Sequence, residues 1–586
     1  MCGIVGYIGN RNARKIILDG LSMLEYRGYD SAGMALWNSD KNKIDIYKAK
    51  GMVEELRKRV INQYISNLGI GHTRWATHGK PSIVNAHPHL SAKKRFAIVH
   101  NGVAENVFDL KKHLLNTKFR SETDTEVIID IIEKFSEENS VLDSLKKAIE
   151  LIEGSYAFLF IDNTESNRIY FSKNKAPLLV GIDKEGICFS SDIKPLENSS
   201  DNYIILDDET YGYASKEGVF VFDLSGRKKD LSILKLDKNN NNIDKGSFDF
   251  YMQKEIFEQP RVVRRIINSY LSNDNMDKNY VLRLIDEADK IYIVASGSSY
   301  HAGLFGKSLF EAKKQKMTDA YIASEFAYNP PLFSKNPLFI FISQSGETAD
   351  LIKAISIARI TNGKIVALTN TPFSTLERLC DCTLFINALE EVSVASTKAF
   401  LAEVVLLGIL SGYDDINDYL KFAYEIENIL SQNDKIDCFS NLLSSKEKCI
   451  FIGRGLDAIT SLESALKLKE ISYMNALGIS SGELKHGTIA LVDDKTMIIA
   501  FISNPTTEKI TRSNICEVSS RGASTIIIST NMTSKPGDDL IISSINPFLD
   551  SLLFVVIGQL ISYYTAINRK TNIDKPRNLA KSVTVE

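Results

Sequence analysis

The second residue of the chain is a cysteine, within the opening Met1-Cys2-Gly3. Because a cysteine side chain is small, we expect Met1 to be removed, which leaves a thiol on the first residue of the mature protein. Such a residue carries a nucleophile together with its own base, since an α-amino group has a pKa of roughly 7.7–8.0. That amine can take the thiol proton, as it does in N-terminal threonine enzymes. The alternative is an accidental cysteine at a frayed terminus.

Three later segments carry groups that could hold glutamine beside such a thiol. Arg74, within His72 to Gly79, offers a guanidinium suited to bidentate capture of a carboxylate. Asn101 and Gly102 offer an amide side chain and a glycine N–H to a developing oxyanion. Asp124, at a predicted helix start, supplies an acid for an ammonium group. Together with Cys2, these groups describe a pocket for an amino acid whose side-chain amide lies beside a thiol.

Each of these segments also has a purely structural explanation. Asn-Gly between apolar residues is a strong signal for a hairpin turn, and Asp124 fits within a capping box formed by Thr123 and Glu126. The five histidines between positions 72 and 100 invite a zinc site instead. Their spacing matches neither H-E-x-x-H nor a Cys/His finger. We therefore predict no metal site.

A second set of polar groups occurs where predicted strands end in the latter part of the chain. The turn from Ser343 to Thr348 places three hydroxyls and a glycine between a buried strand and a helix, a position that binds phosphate through backbone N–H groups. An ordinary Ser/Thr helix cap is the alternative. Ligands of open parallel sheets bind at the carboxyl ends of the strands, so nearby hydroxyls favour phosphate. The further hydroxyls are those of Ser298, Ser299, Ser396 and Thr397.

The predicted helix from Thr460 to Met474 carries a third signal. Glu463, Lys467 and Glu470 fall at i, i+4 and i+7, on one face of the helix. An exposed stripe of salt bridges is the default explanation of that spacing. Apolar residues flank this stripe, which favours a partly buried polar seam. A buried carboxyl beside a lysine can have its pKa adjusted for proton transfer, as a ketose–aldose interconversion requires.

The elements that must position these groups differ between the two parts of the chain. Up to about Leu236, short apolar runs broken by Gly and Asn predict a strand-rich α+β region with helices packed on sheets. From Phe248 onward strands and helices alternate, which predicts an α/β region with a parallel sheet. Strands are predicted at 96–99, 156–161, 187–190, 218–222, 291–295, 338–342, 449–452 and 497–502, and helices at 13–24 and 125–135.

The second region also has a repeated design. A strand, a polar turn and a helix follow one another four times, which predicts an internal duplication of about 150 residues. The two copies are expected near residues 250–430 and 437–576. The Asn-rich stretch at 238–242 is the predicted linker between the two regions.

Composition excludes several classes of protein. With 586 residues, 44% hydrophobic and 24% charged, the chain is typical of soluble globular proteins. A net charge of -3 gives no reason to expect nucleic acid or an anionic membrane as a partner. Seven scattered cysteines indicate reduced thiols in the cytoplasm. No secretory signal is expected, and the apolar stretch at 548–567, interrupted by Asp550 and Gln559, is predicted to be a buried core helix.

The first region resembles the N-terminal-nucleophile (class II) glutamine amidotransferases. The resemblance lies in Cys2 to Gly6, in Glu25 to Gly33 and in His72 to Gly79. It implies a four-layer αββα sandwich, with Cys2 attacking the glutamine amide and Asn101 and Gly102 forming the oxyanion hole. It further implies that Trp75 gates an ammonia channel and that glutamine is bound by Arg74, Thr77, His78 and Asp124.

The second region resembles the paired sugar-isomerase (SIS) domains that accompany such amidotransferases, in its Ser-rich turns and in its tail, Asp574 to Glu586. The resemblance implies two flavodoxin-like domains. It makes Lys581 the amine that forms a Schiff base with an open-chain ketose, Glu470 the base that moves the C1/C2 proton, and Lys467 its assistant. His486 would open the sugar ring from the neighbouring subunit of a dimer. The implied sugar-phosphate ligands are Ser298, Ser299, Ser343, Gln344, Ser345, Thr348, Val394, Ser396 and Ala580.

The resemblance spans essentially the whole chain and implies a cytoplasmic homodimer that converts fructose 6-phosphate and glutamine to glucosamine 6-phosphate and glutamate, the first step of hexosamine synthesis. No metal or organic cofactor is expected. The implied boundaries are an amidotransferase domain at 1–237, a linker at 238–249, SIS domains at 250–430 and 437–576, and a tail at 577–586 that enters the isomerase site.

Three alternatives remain at this point. The segment Asn475 to Ser481 lacks an acid and an aromatic residue that are typical of the family, and Ser296 stands where cysteine is common. The altered segment favours, as the nearest alternative, the same chemistry on a different ketose phosphate. A phosphoribosyl-type amidotransferase would need a diphosphate-binding acidic loop and magnesium, and the sequence indicates neither. A non-enzymatic sensor of sugar phosphates would not need Cys2, Arg74 or Lys581.

Overall fold

The computed structural model describes residues 2–60, 64–75, 79–114, 117–236, 245–272 and 274–583. The chain divides into two compact units, Met1–Asn242 with Ser582–Glu586, and Ile243–Lys581. The predicted linker at 238–242 lies outside the described residues.

The first unit is built on two antiparallel sheets. One has eight strands in the order β14-β11-β9-β10-β1-β4-β2-β3, and the other has six in the order β13-β12-β8-β7-β6-β5. The strands are β1 Gly3–Gly9, β2 Ser31–Asn38, β3 Lys43–Lys50, β4 Leu68–Arg74, β5 His89–Leu90, β6 Phe96–Ala104, β7 Gly154–Asp162, β8 Glu165–Asn174, β9 Leu179–Asp183, β10 Gly186–Ser190, β11 Asn202–Ile205, β12 Thr210–Ser215, β13 Gly218–Asp223 and β14 Leu234–Lys235.

Helices cover the outer faces of these two sheets. They are α1 Ala13–Met23, α2 Val53–Arg59, α3 Val107–Lys112, α4 Asp124–Phe135, α5 Val141–Ile149 and α6 Lys194–Glu197. One apolar cluster joins the two sheets face to face, for example Ile70 of β4 with Val99 of β6. A second cluster packs α1 and α2 on the eight-stranded sheet, and a third packs α4 and α5 on the other. The first unit is therefore an αββα sandwich, as the resemblance to the amidotransferases implies.

The second unit contains two parallel five-stranded sheets with the same strand order. The first runs β16-β15-β17-β18-β19 and the second β21-β20-β22-β23-β24, which in both cases is the flavodoxin-like order 2-1-3-4-5. The strands are β15 Lys290–Ala295, β16 Thr318–Ile322, β17 Pro337–Ser343, β18 Lys364–Thr369, β19 Cys382–Phe385, β20 Lys448–Gly453, β21 Asn475–Ser480, β22 Thr496–Ile502, β23 Ser524–Thr530 and β24 Leu540–Ile542. The repeated topology confirms the predicted duplication.

The helices of the second unit pack on both sheets, most of them in one large apolar core and the others, α11, α12, α13 and α18, in two smaller clusters. They are α7 Tyr251–Phe257, α8 Gln259–Tyr270, α9 Met276–Glu287, α10 Gly297–Leu309, α11 Ala323–Tyr328, α12 Ala349–Ala358, α13 Thr375–Leu379, α14 Lys398–Ser411, α15 Ile416–Ser431, α16 Asn433–Ser444, α17 Leu456–Ser472, α18 Pro505–Ser519 and α19 Pro547–Asn568. The core joins residues of both halves, such as Phe400 of α14 and Phe554 of α19. Helix α19 is apolar and long enough to cross a membrane, but 94% of its most apolar window is buried, which confirms the prediction of a core helix.

Candidate functional site

Cys2 lies at the edge of β1, beside the end of β4. Antiparallel pairing places Gly3 opposite Thr73, which brings Trp75 next to the cysteine. The Trp75 N–H donates to Cys2 Sγ at 3.3 Å, and the thiol donates to the Trp75 carbonyl oxygen at 3.5 Å. Burial raises the pKa of the Cys2 thiol, against the lowering effects of the chain's positive terminus, the Trp75 N–H and Arg74. The sulfur is thus held by the backbone as a neutral thiol, which needs a base to become a nucleophile.

Asn101 and Gly102 lie inside β6, where they face β7 rather than forming a hairpin turn. The hairpin alternative is therefore wrong. Asn101 Nδ2 donates to the Cys2 carbonyl oxygen at 3.0 Å, so the amide group points at the cysteine. Gly102 has a φ of +114°, and a Cβ there would collide with the Ser155 carbonyl oxygen. A glycine is thus required at the position where the predicted oxyanion donor lies.

His72, which the sequence did not single out as a site residue, orients the Asn101 amide. His72 Nε2 lies 3.1 Å from Asn101 Oδ1 and 2.9 Å from the His100 carbonyl oxygen. Both of these atoms are acceptors, so the proton must reside on Nε2. Burial, together with the nearby Arg74 charge, lowers the pKa of His72 to about 3. A neutral histidine therefore fixes the amide oxygen and leaves the amide NH2 group facing Cys2.

Two of the four predicted glutamine ligands border the same site. Arg74 ends β4, is 3% exposed, and donates through Nη2 to the Gly79 carbonyl oxygen at 3.2 Å. Burial lowers the pKa of Arg74, while Cys2, Asp30 and Asp124 raise it, so all three acids act on the guanidinium. Thr77 and His78 lie outside the described residues.

Asp124 begins α4, and its carboxylate accepts the Ala104 N–H at 2.9 Å. The alternative of a capping box is wrong, because the Thr123 side chain caps nothing at this helix start. Glu126 instead accepts from the Arg120 and Ser121 backbone N–H groups, at 3.0 and 2.7 Å. Asp124 is 8% exposed. This carboxylate is thus anchored at the helix start beside the end of β6.

Trp75, the predicted gate, packs edge-on against Tyr29, with ring centroids 5.8 Å apart. Because its backbone holds the Cys2 sulfur on both sides, a change in the Trp75 backbone would also displace the thiol. The gating role itself stays a prediction.

In the second unit, the turn from Ser343 to Thr348 gathers hydroxyls at the start of α12. Ser343 Oγ accepts the Gly346 N–H at 3.1 Å and lies 3.1 Å from Thr348 Oγ1. Ser345 Oγ accepts the Glu347 N–H at 3.3 Å. The alternative of a simple cap is wrong, because the Thr348 side chain makes no capping hydrogen bond to the helix. The hydroxyls therefore belong to the turn, at a helix N-terminus suited to an anion.

Ser298 and Ser299 lie in the first turn of α10, which follows the neighbouring strand. β15 and β17 pair in parallel, with Ala295 opposite Ile342, so the turns after them meet at one edge of the sheet. Ser298 Oγ donates to Glu463 Oε1 at 2.9 Å, and Ser299 Oγ donates to Glu403 Oε1 at 2.9 Å. Ser298 thereby ties the first half of the unit to α17 of the second half, whereas Ser299 is bonded within the first half to α14.

The predicted polar seam of α17 is buried, so the alternative of an exposed stripe is wrong. Lys467 Nζ lies 2.7 Å from Glu470 Oε2 and 3.4 Å from Glu463 Oε1, and donates to Ser298 Oγ at 3.0 Å. Burial opposes the charge of Lys467, but Glu470 and Glu463 more than offset this, so its pKa is raised. The Glu470 side chain is 21% exposed, whereas those of Glu463 and Lys467 are buried. Glu470 is thus the carboxyl of this seam that a ligand can reach.

Lys581 forms an ion pair with Glu391. Glu391 also accepts the backbone N–H groups of Thr397 and Ala399, at 2.9 and 3.0 Å, and the Ser396 hydroxyl, at 3.1 Å. Burial opposes ionisation of Glu391, but Lys581 and these donors hold its pKa at about 2. The loop that carries Val394 and Ser396 thus wraps the carboxylate that positions Lys581.

His486 is exposed, at the end of a short 3-10 turn, Ser481–His486. Among the described residues it forms no hydrogen bond to Glu470, Lys467 or Lys581. Its predicted use by a neighbouring subunit therefore stays a prediction.

Four buried residues of these sites escaped the sequence analysis: His72, Glu391, Glu403 and, as a ligand of Ser298, Glu463. One signal was available for Glu403, the lone acid in α14, whose residues are all buried. A single carboxyl in such a helix must either be paired or stay protonated. For Glu391 no local signal exists, because its partners come from the folded loop and from the distant tail.

Comparison with known proteins relates the two parts of the chain to different domain families. A model of the SIS domain family matches residues 284–410 and 442–547, and a model of a glutamine amidotransferase domain matches residues 72–198. The carboxyl-terminal domain of a glucosamine-fructose-6-phosphate aminotransferase from Francisella tularensis matches with a TM-score of 0.52 and 33% identity, over 57% of this chain and 100% of that chain. A tagatose-6-phosphate ketose/aldose isomerase from Escherichia coli shares the fold, with a TM-score of 0.50 and 18% identity over 56% of this chain and 96% of that one.

Whole-length relatives are more informative. Glutamine–fructose-6-phosphate aminotransferases (isomerizing) from Listeria monocytogenes and Geobacillus kaustophilus are each 43% identical to the chain, and one from Streptococcus agalactiae is 42% identical. Each alignment covers 100% of this chain and 100% of the relative. The chain therefore belongs to the family of glutamine–fructose-6-phosphate aminotransferases (isomerizing).

Proposed function

We propose that the protein transfers the amide nitrogen of glutamine to fructose 6-phosphate, yielding glucosamine 6-phosphate and glutamate. The observation that carries this proposal is the position of Cys2, with its sulfur 3.3 Å from the Trp75 N–H and its backbone bonded to the Asn101 amide. A thiol in such a site is suited to attack an amide. Family membership supplies the acceptor, and the reaction uses no metal or organic cofactor.

In the amidotransferase unit, Cys2 attacks the glutamine side-chain amide after its freed α-amino group has taken the thiol proton. The amide oxygen becomes an oxyanion, which Asn101 Nδ2 and the Gly102 N–H stabilise. Arg74 and Asp124 hold the glutamine carboxylate and ammonium groups, with Thr77 and His78 as further ligands. Ammonia leaves as the thioester forms, and water then releases glutamate from Cys2.

In the isomerase unit, the phosphate of the sugar occupies the turn of Ser343, Gln344, Ser345 and Thr348, near Ser298 and Ser299. Lys581 forms an imine with the open-chain ketone, beside Val394, Ser396 and Ala580. Glu470 moves the proton between C1 and C2, and Lys467 assists it. The Glu470 side chain is 21% exposed beside the buried Lys467, which supports this role for Glu470.

Three further parts of the proposal concern assembly and location. Trp75 gates the passage of ammonia away from Cys2. The protein acts as a cytoplasmic homodimer, in which His486 opens the sugar ring at the site of the neighbouring subunit. The exposure of His486 supports a role at a subunit interface.

The altered segment 475–481 gives little support to a different acceptor. It forms β21 and the start of the following turn, and Leu477 and Ile479 pack on the apolar cluster of the second half, with Ile450 and Ile452. The missing acid and aromatic are thus replaced by core-packing residues.

Product identification tests the acceptor directly. Purified protein is incubated with glutamine and one ketose phosphate, which is fructose 6-phosphate in one reaction and a different ketose phosphate in a parallel reaction. The amino sugars formed are identified by mass spectrometry. We expect glucosamine 6-phosphate from fructose 6-phosphate at much the highest kcat/KM. A higher kcat/KM with a different ketose phosphate would replace the proposed acceptor, and the absence of any amino sugar would refute the proposal.

A further inference from the structure

Glu403 is a buried carboxyl that the proposed chemistry does not use. It lies in the middle of α14 and is 1% exposed. Oε1 accepts the Ser299 hydroxyl at 2.9 Å. Oε2 is buried and, among the described residues, has no hydrogen-bond partner. An ionised carboxylate with one bare buried oxygen is costly, so this geometry favours the neutral acid.

The charges around Glu403 point the same way. Glu391, in the loop before α14, and Glu463 of α17 are both acidic. Glu391 is paired with Lys581, and Glu463 with Lys467 and His301. Burial is the largest cause that raises the pKa of Glu403, to about 8. Glu391 and Glu463 add to this effect, and the Ser299 hydroxyl and Lys581 oppose it.

Ser299 connects this acid to the sugar-phosphate site. A serine hydroxyl has one proton to give and can also accept. When Glu403 is ionised, Ser299 must donate its proton to the carboxylate, and its lone pairs then face the bound phosphate. When Glu403 is protonated, the acid can donate to Ser299 Oγ, and the serine proton can turn to a phosphate oxygen.

We propose that Glu403 is a positioning residue of the sugar-phosphate site, which as a neutral acid donates to Ser299 and so directs the Ser299 hydroxyl proton to the phosphate. This inference rests on the proposed function, because it takes Ser299 as a phosphate ligand. No covalent bond changes. The protein binds one proton at Glu403 together with the ligand whenever the acid starts ionised.

The consequence is a loss of phosphate affinity at alkaline pH. With a pKa of about 8, Glu403 is mostly protonated at pH 7 and mostly ionised at pH 9.5. If only the protonated form binds, linkage predicts an affinity roughly 30-fold weaker at pH 9.5 than at pH 7. The second ionisation of a phosphate monoester, near pH 6, is nearly complete at pH 7, so the ligand contributes little.

The test uses the full-length protein and glucitol 6-phosphate, a sugar phosphate without a carbonyl group that cannot form an imine with Lys581. Its dissociation constant is measured by calorimetry from pH 7 to pH 9.5. For the wild type, we expect the dissociation constant to rise about tenfold per pH unit above about pH 8, which corresponds to the loss of one proton. For Glu403→Gln, the dissociation constant should stay within about threefold from pH 7 to pH 9.5, because the glutamine NH2 group donates to Ser299 at every pH.

Glu255→Gln is the matched control. Glu255 is also buried, with a pKa raised by burial and by Glu391 to about 8, but its Oε1 accepts the Val392 and Ser393 N–H groups. We expect this variant to keep the pH dependence of the wild type. Thermal unfolding of each variant verifies that it is folded. Loss of the pH dependence in Glu255→Gln would overturn the assignment to Glu403.

A second background tests whether Glu403 acts through Ser299. In Ser299→Ala, adding Glu403→Gln should change the affinity less than about twofold at any pH. Two results would overturn the inference. One is a Glu403→Gln variant whose dissociation constant depends on pH as in the wild type. The other is a Glu403→Gln substitution that changes the affinity as much in the Ser299→Ala background as in the wild type. If the wild type binds glucitol 6-phosphate at pH 7 without any pH dependence, the inference fails while the proposed function stands. No binding at any pH would contradict both.

Discussion

At the scale of single residues, Cys2 and His72 are both uncharged before glutamine binds. Burial raises the pKa of the thiol and lowers the pKa of His72 to about 3. The neutral histidine can therefore act only by orientation, through Asn101 Oδ1 at 3.1 Å. On the proposed function, the oxyanion is stabilised by an amide whose position is set by a second side chain.

This dependence predicts the effect of His72→Gln. Loss of the imidazole frees the Asn101 amide to rotate, so kcat for glutamine hydrolysis should fall roughly 100-fold, as on removal of an oxyanion donor. KM for glutamine should change less than about threefold, since the Nε2 hydrogen bonds of His72 go to the His100 carbonyl oxygen and to Asn101 Oδ1. Initial-rate kinetics of glutamate release measure both parameters.

The pH dependence distinguishes orientation from proton transfer. Because His72 is neutral above its pKa of about 3, the pH profile of kcat/KM between pH 5 and 9 should keep its shape in His72→Gln. An ascending limb near pH 8, from the freed α-amino group acting as base, should appear in both proteins. His113→Gln, at an exposed histidine of the same unit, should match the wild type. Loss of the ascending limb in His72→Gln would make His72 itself the base.

At the scale of elements, the turn from Ser343 to Thr348 depends on a glycine just after the end of the parallel strand β17. Gly346 has a φ of +65°, and a Cβ there would collide with the Ser374 side chain. The glycine thus allows the turn to curl so that its N–H reaches Ser343 Oγ at 3.1 Å. A side chain at this position would open the turn.

Gly346→Ala should therefore weaken sugar-phosphate binding. We expect KM for fructose 6-phosphate to rise at least about tenfold, because the turn loses backbone donors that the phosphate needs, while glutamine hydrolysis without sugar is unchanged. Steady-state kinetics with each substrate measure this difference.

Gly412→Ala is the control for this variant. Gly412 also has a positive φ, +99°, but nothing lies within 4 Å of a Cβ there. It ends α14 in the left-handed conformation, so an alanine there should cost roughly 1–2 kcal/mol of stability and leave KM for fructose 6-phosphate unaltered. An equal rise of KM in both variants would show a general loss of stability and not a local change in the turn.

The elements themselves were largely predictable, whereas their buried contacts were not. Apolar runs gave β15, β17 and β20 to within one residue at each end, because a strand buried on both faces must be apolar along its length. They gave the start of β6 but ended it at residue 99, whereas the strand extends to Ala104. The Asn101-Gly102 step lies in β6 because pairing with β7 extends past it, an effect of tertiary structure that outweighs the local turn preference.

The partners of the site residues depend on distant segments. Glu391 binds Lys581, 190 residues away, and also accepts the Thr397 N–H from the loop that follows Glu391. Glu463 accepts a hydrogen bond from Ser298, which lies in the other half of the unit, 165 residues away. No local pattern specifies such pairs, so the sequence indicated the chemistry of the sites but not how each side chain is held.

At the scale of the whole molecule, the chain combines two units with different architectures and different chemistry. The first unit holds the thiol on an antiparallel sandwich, and the second holds Lys581 and the α17 seam at the ends of parallel strands. The two SIS halves share one apolar core and thus form one compact unit, which composition and length alone did not indicate. The proposed function requires that a nitrogen released in one unit be consumed in the other.

The most direct measurement follows that nitrogen. The protein is incubated with fructose 6-phosphate and glutamine labelled with ¹⁵N in the side-chain amide, in a buffer that contains unlabelled ammonium, and the amino sugar is analysed by mass spectrometry. We predict glucosamine 6-phosphate that carries the label, and no such product from Cys2→Ala or from Lys581→Ala. Labelled product from Cys2→Ala, or mainly unlabelled product from the wild type, would contradict the account.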